Sequence, residues 1–160
     1  MAKWKVGSGC DNYIRRLQDL QLNTETTLGR AVYEGAKVIT DAVAANIDAL
    51  PVGTWKANQR QNGPTKAQKQ GLKAGLGISR MRNDGGFVNV KIGMDGYNAV
   101  KTKKYPKGQP NAMIARTVEN GGTWMAKHPF ISRAVNSKRA TAEAAMAAEL
   151  DEQIKRKMEG

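Results

Sequence analysis

Side chains suited to acid, base or nucleophilic chemistry are scarce in this chain of 160 residues. The one histidine, His128, stands between Lys127 and Pro129, and the one cysteine, Cys10, follows a Gly-Ser-Gly segment near the N-terminus. A Cys10 nucleophile would need a base, and His128 is the one histidine that could serve. Cys10 lies in what we expect to be a flexible arm, so we favour a structural role for His128 over a catalytic pair.

The carboxylates and glycines make no better case for a reactive centre. Asp151-Glu152 and the pair Glu143 and Glu149 lie in a predicted helix with basic residues within a turn, a pattern typical of a solvated helix face. Clusters of oxygen ligands and the His/Cys spacings of metal sites do not occur in the sequence. The glycine-rich segment 71–77 leads into a predicted strand, whereas a phosphate-binding loop leads out of a strand into a helix. We therefore expect no catalytic, cofactor or metal site, and a protein that is not an enzyme.

The positive charge of the chain is concentrated in its middle third. Of a formal net charge of +12, residues 52–110 supply twelve basic against two acidic side chains, while the flanks hold six against six and eight against six. Such a segment attracts polyanions through counterion release, without reading a base sequence. DNA backbone and acidic protein neighbours both remain open as partners. The candidate contact residues are Lys66, Lys69, Lys73, Lys101, Lys103, Lys104 and Lys107.

Two long amphipathic helices are predicted from the spacing of apolar residues. From Thr24 to Leu50 these residues recur every three or four positions, Thr24 offers a capping hydroxyl, and Pro51 ends the pattern. After Pro129 the same spacing and many alanines predict a helix over 131–159. At roughly 43 Å it is longer than a small domain needs, so we expect its end to extend toward a neighbour.

A β-hairpin is predicted over 76–94. Apolar side chains alternate with Asn89, Lys91 and Gly93, which predicts a strand with one buried and one solvent-facing side. The segment Asn83-Asp84-Gly85-Gly86 before it is typical of a turn. The predicted buried positions are Val88, Val90, Ile92 and Met94.

Together these elements predict a single α+β domain over residues 1–160. The long N-terminal and C-terminal helices pack on a small antiparallel β-hairpin, and long basic loops connect the parts. We expect no run of apolar residues long enough to span a membrane and no secretion signal, hence a soluble protein. The predicted parts are a flexible arm (1–10), helices (11–50, the shorter one near Tyr13 to Leu22), a loop (52–75), the hairpin (76–94), a second loop (95–112), a short helix (113–120) and the C-terminal helix (131–159).

Two neighbouring segments, Ile114 to Thr123 and Lys127 to Val135, resemble a known family. It is the phage tail-component family named for the tenth gene product of a lambda-like phage, also called tail-completion or neck proteins. Its members have a short helix ending in Val-Glu-Phe/Ser-Gly-Thr, a loop, and Arg-Pro-Phe-Leu/Val-Arg-Pro-Ala at the start of a long terminal helix. Glu119 and Pro129 stand ten apart here, as that pattern requires.

Further matches follow in order along nearly the whole chain. They are Pro51-Val52-Gly53-Thr54, Gly71-Leu72, and the segment from Lys91 to Asn98. Asn120-Gly121-Gly122 and Ser132-Arg133 depart from the pattern.

The resemblance implies a virion structural protein of a tailed bacteriophage, assembled in the host cytoplasm. It would be a tail-completion or head-to-tail connector subunit that forms a homo-oligomeric ring around the DNA channel. The expected ring is a hexamer, and the alternative is a dodecamer. Its partners would be other neck and tail proteins, with non-specific contact to the DNA backbone and none to a membrane. The lysines named above would line the DNA lumen or dock onto a partner. The alternatives are a tail terminator ring that caps the tail tube, or a free sequence-independent nucleic-acid-binding protein.

We expect the loop before the last helix to form a subunit contact. Trp124, Met125, Pro129 and Phe130 are apolar residues in a Gly-flanked segment that would otherwise face water. Glu119 belongs to the same motif. The alternative is that these side chains pack onto the chain's own helix.

Overall fold

The computed structural model describes residues 23–54 and 56–160, together with Arg15, Gln18 and Asp19. The predicted arm over 1–10, with Cys10, lies outside the described residues, as does most of the predicted helix near Tyr13 to Leu22. The described elements, in chain order, are α1 (Thr24–Ala49), α2 (Lys66–Gly75), β1 (Leu76–Ile78), β2 (Arg82–Asn83), β3 (Val88–Asn89), β4 (Ile92–Met94), α3 (Asn111–Asn120) and α4 (Phe130–Glu159).

The fold class is α+β, as predicted. Two long helices, α1 and α4, pack together, and the strands form small two-stranded sheets in which β1 pairs with β4 and β2 with β3. By contact the chain divides into two compact units. Unit 1 holds residues up to Ile39, Ile78–Ile92 and Lys138–Gly160, and unit 2 holds Thr40–Gly77 and Gly93–Ser137. Two of the boundaries fall inside uninterrupted helices, so the apolar spacing gave no sign of them.

In unit 1, the first part of α1 packs closely against α4. A Cβ atom at Gly35 would lie 2.6 Å from Met146 Cγ and 3.2 Å from the carbonyl oxygen of Ala142, so the absence of a side chain lets the helices approach. The Thr26 N–H donates to Asn23 Oδ1 at 3.2 Å, which makes Asn23 the capping residue of α1 in place of the predicted Thr24. The buried apolar residues of this unit are Leu28, Ala31, Val32, Ala36, Ile39, Val88, Val90, Ile92, Ala142, Leu150 and Ile154.

The predicted hairpin is present and contains an extra residue on one strand. The Ser79 N–H donates to the Lys91 carbonyl, while Arg82 faces Asn89 in the inner ladder. Between these two pairings the first strand advances by three residues and the second by two, so the first strand contains one extra residue, as in a β-bulge. Asn89 was predicted to face solvent and is buried instead, because its amide donates to Asp84 Oδ2 at 3.0 Å and to the Phe87 carbonyl at 3.2 Å.

In unit 2, the predicted loop over 52–75 is wrong from residue 66 onward, where α2 forms. A capping box starts this helix: the Gln68 N–H donates to Thr65 Oγ1 at 3.3 Å and the Thr65 N–H to Gln68 Oε1 at 3.0 Å. The buried residues of α2 are Gln68, Gly71 and Leu72, so only one large apolar side chain marks its inner face. One apolar residue cannot produce a helical periodicity in the sequence. The capping-box sequence Thr-x-x-Gln was the feature that could have predicted this helix.

The other helices of unit 2 follow their predictions closely. The helix α3 begins at Asn111 instead of residue 113, and α4 begins at Phe130 instead of residue 131. The apolar residues buried in this unit are Val43, Ile47, Leu50, Leu72, Met94, Ile114, Ala115, Val118, Met125, Phe130 and Ala134. At the other end of α4, in unit 1, Met158 is 70% exposed, so the apolar spacing continues past the residues that the helix buries.

The substitution Gly35→Leu tests the close approach of α1 and α4. Leucine favours a helix more than glycine does, so a loss of stability would report the packing. We expect the free energy of unfolding to fall by about 1–3 kcal/mol, because the added side chain displaces Met146. Urea denaturation measures it, with Ala45→Leu at an exposed position of the same helix as the control. Equal stability of the two variants would contradict this packing.

Candidate functional site

The motif that carries the resemblance forms one hydrogen-bonded joint between α3 and α4. The Glu119 carboxylate, at the end of α3, accepts the Ile131 N–H at 2.8 Å and the Ser132 N–H at 3.0 Å. It also accepts the Ser132 hydroxyl. These are the second and third amide groups of α4, which have no acceptor within the helix itself. We refer to residues 117–132 as the capping joint.

Pro129 explains why the cap comes from another helix. It occupies the position before α4, where a Ser, Thr, Asp or Asn side chain would normally accept these amides, and proline has no acceptor to offer. A carboxylate also interacts favourably with the positive end of the helix dipole. An N-terminal cap stabilises by about 0.5–2 kcal/mol, and the charge adds about 0.3–1 kcal/mol.

The connection between the two helices is short and bonded to its surroundings. Gly121 ends α3 with φ of 74°, a conformation that favours glycine, and its N–H donates to the Thr117 carbonyl at 2.8 Å. The His128 N–H donates to the Val118 carbonyl at 2.7 Å. The His128 ring Nε2 lies 2.5 Å from the Asn62 carbonyl oxygen, so this nitrogen is the donor. These contacts join His128 to both α3 and residue Asn62.

Two of the predicted interface residues are part of the chain's own core. Met125 is fully buried and Phe130 is 3% exposed, so neither presents its side chain to a second subunit. The alternative of packing onto the chain's own helix is therefore correct for both. Pro129 is half-buried, and Glu119 serves as the helix cap. Trp124, 39% exposed, is the one of the five that offers a large apolar surface to a partner.

Two of the predicted lysine contacts are also used inside unit 2. Lys69 Nζ donates to the carbonyl oxygens of Asp48 at 2.7 Å and Leu50 at 2.8 Å, and so caps the C-terminal end of α1. Lys73 Nζ forms an ion pair with Asp48 Oδ1 at 2.7 Å. These two lysines tie α2 to α1. Lys66 is exposed in the first turn of α2.

The remaining four lysines lie within the predicted loop over 95–112, which backbone hydrogen bonds close upon itself before α3 begins at Asn111. The Asn98 N–H donates to the Gln109 carbonyl, and the Gln109 N–H to the Val100 carbonyl. At the far end Thr102 and Tyr105 exchange backbone hydrogen bonds of 3.1 Å each. Residues 98–109, the lysine loop, therefore form a narrow two-armed structure. Its four lysines are Lys101, Lys103, Lys104 and Lys107.

The base of the lysine loop is fixed to α2 and α3. The Gln68 amide donates to Gln109 Oε1 at 2.8 Å, and, just outside the loop, the Asn111 amide donates to the Asp95 carbonyl at 2.8 Å. A Cβ atom at Gly71 would lie 2.5 Å from Asn98 Cβ, so this glycine lets the loop sit directly on α2. Sequence reasoning missed these anchors, because Asn and Gln partners distant in sequence leave no periodic signal.

No family model, no curated protein and no solved structure matches this chain. The resemblance to the tail-component family therefore stays a prediction. Within the part of the chain that the structure describes, no three acidic, His or Cys side chains lie close enough to share a metal ion. Among those same residues, no helix combines the length and the apolar character needed to cross a membrane.

Removing the Glu119 carboxylate should destabilise the protein, because two amides at the start of α4 lose their acceptor. We expect Glu119→Ala to lower the free energy of unfolding by about 1–2 kcal/mol. Glu119→Gln should lose less, since its amide oxygen can still accept one N–H group. Urea denaturation measures both, and Glu143→Ala, at an exposed position of α4, is the control. Equal effects of Glu119→Ala and Glu143→Ala would show that the cap contributes nothing.

Proposed function

We propose that this protein is a structural subunit of a tailed bacteriophage, acting in tail completion or as a head-to-tail connector that forms a ring around the DNA channel. The observation that carries the proposal is the pattern from Val118-Glu119 to Pro129-Phe130. These are the positions by which the chain resembles the tail-component family, and here they build the capping joint. A shared pattern with a definite physical task in the fold is a stronger basis for kinship than similar helices would be.

The exposed surfaces are consistent with an assembling subunit. Trp124 stands exposed beside a fixed backbone, since the Gln61 N–H donates to its carbonyl oxygen at 2.9 Å. In unit 1, Met158 is exposed near the end of α4. In a closed ring each subunit offers two different surfaces to its neighbours, so separate apolar positions of this kind suit a heterologous interface. Ring size and the choice between completion and terminator roles do not follow from these features.

A free nucleic-acid-binding protein is the second candidate, and the exposed lysines of the lysine loop favour it. Such a protein would bind DNA as a monomer with a steep dependence on salt. A ring component would self-associate, alone or with its neck partners. Mass in solution therefore separates the two candidates.

Trp124→Glu tests the assembly proposal without disturbing the core, because this side chain is partly exposed in the single chain. We expect the wild-type protein to form closed oligomers by native mass spectrometry, with its neck partners present if needed. Trp124→Glu should shift most of the material to monomer, and Trp124→Phe should keep it assembled, since an aromatic anchor remains. Circular dichroism should show the same thermal unfolding for both variants. A wild-type protein that stays monomeric in every mixture would contradict the proposal.

A further inference from the structure

The exposed lysines at residues 101–107 stand on a support that is already formed in the single chain. Backbone hydrogen bonds close the lysine loop at both ends, and side chains of α2 and α3 hold its base. Gly108 adopts φ of 114°, and a Cβ atom there would lie 2.0 Å from the Asn98 carbonyl oxygen, so the two arms touch. The loop thus presents its charges from a fixed backbone.

At the tip, Thr102 supports the turn, since its hydroxyl accepts the Tyr105 N–H at 3.1 Å, but the two central residues are not ones that a hairpin turn favours. Lys103 and Lys104 are the two residues between the bonded pair Thr102 and Tyr105, and neither has a positive φ. Two-residue hairpin turns favour Asn-Gly or similar pairs with positive φ. The turn therefore does not require two adjacent lysines at these positions, and a contact outside the chain would explain them.

The lysines of the loop are not neutralised within the chain. Lys101, Lys103, Lys104 and Lys107 are exposed, and none of them forms an ion pair with a described residue. Between Asp95 and Glu119 the sequence has no acidic residue at all. Lys104 Nζ lies 5.5 Å from the centre of the Tyr105 ring, a cation–π contact that keeps the positive charge.

We propose that the lysine loop is a preformed element that binds the phosphate backbone of duplex DNA without reading its base sequence. Lysine is depleted in protein–protein interfaces, whose centres need apolar anchors. The one aromatic residue at the tip of this loop, Tyr105, is half-buried, with Lys104 Nζ over its ring. Lysine is a frequent donor to phosphate oxygens, and such contacts need charge and position only. The loop therefore favours DNA over an acidic protein. As the DNA-facing element of the proposed connector it rests on that proposal, but the isolated protein suffices to test it.

The test compares two variants with the same change in charge. One carries Lys101→Gln, Lys103→Gln, Lys104→Gln and Lys107→Gln; the control carries Lys138→Gln, Arg139→Gln, Lys155→Gln and Lys157→Gln on α4. Fluorescence anisotropy with a labelled duplex of arbitrary sequence gives the affinity at several salt concentrations. We expect the loop variant to bind at least about tenfold more weakly than wild type, and the control less than about threefold.

The salt dependence adds a second readout. The slope of log affinity against log salt should fall by about 3 to 4 in the loop variant, since each phosphate contact contributes about 0.9. Replacing the four lysines by arginine should preserve binding. Equal losses in loop and control variants would overturn the proposal, as would unchanged binding by the loop variant. Equal competition by poly-glutamate and unlabelled duplex, per charge, would overturn it in favour of an acidic protein.

These outcomes are separable from the fate of the connector proposal. Loop-dependent DNA binding by a protein that never assembles would support the loop assignment and contradict the connector. Assembled rings that bind DNA equally well with and without the loop lysines would support the connector and contradict the loop assignment.

Discussion

The interaction on which unit 2 depends is the capture of the α4 amides by the Glu119 carboxylate. Because Pro129, the residue before this long helix, has no side-chain acceptor, the cap must come from elsewhere in the fold, and α3 ends at the point where it can supply one. The cap fixes the direction in which the chain leaves α3. It also gives the spacing between Glu119 and Pro129 a cause, since fewer or more residues would move the carboxylate away from the amides.

A second constraint holds the lysine loop. Lys69 and Lys73 join α2 to the end of α1, and the free side of α2 supports the loop through Gln68 and Gly71. Thus the predicted contact lysines do not all have the same role. Lys69 and Lys73 bind carbonyl oxygens and a carboxylate inside unit 2, whereas the four lysines of the loop form no ion pair with a described residue. Composition could not separate these roles, because a lysine that caps a helix and a lysine without an ion-pair partner contribute equally to the net charge.

What the sequence predicted well were the elements with a strong period. The buried face of α1, from Leu28 to Leu50, and the buried apolar positions from Val88 to Met94 were correct because burial of one face repeats along each element, although Asn89 is buried as well. What it missed were short elements held by polar contacts. The helix α2 buries one large apolar residue. The lysine loop is closed by backbone hydrogen bonds, which do not depend on residue type and so leave no pattern in the sequence. Two of the five predicted interface residues, Met125 and Phe130, are buried within the chain, which their place in a Gly-flanked segment did not reveal.

We propose that this chain works as one copy among several around DNA, with the lysines of the loop facing the duplex. Electron cryomicroscopy of the intact particle whose genome encodes the chain is the decisive experiment. We expect a ring of copies where head meets tail, with residues 101–107 of each copy lining the channel. A particle without this chain at that position, or a ring whose lysine loops point away from the channel, would contradict it.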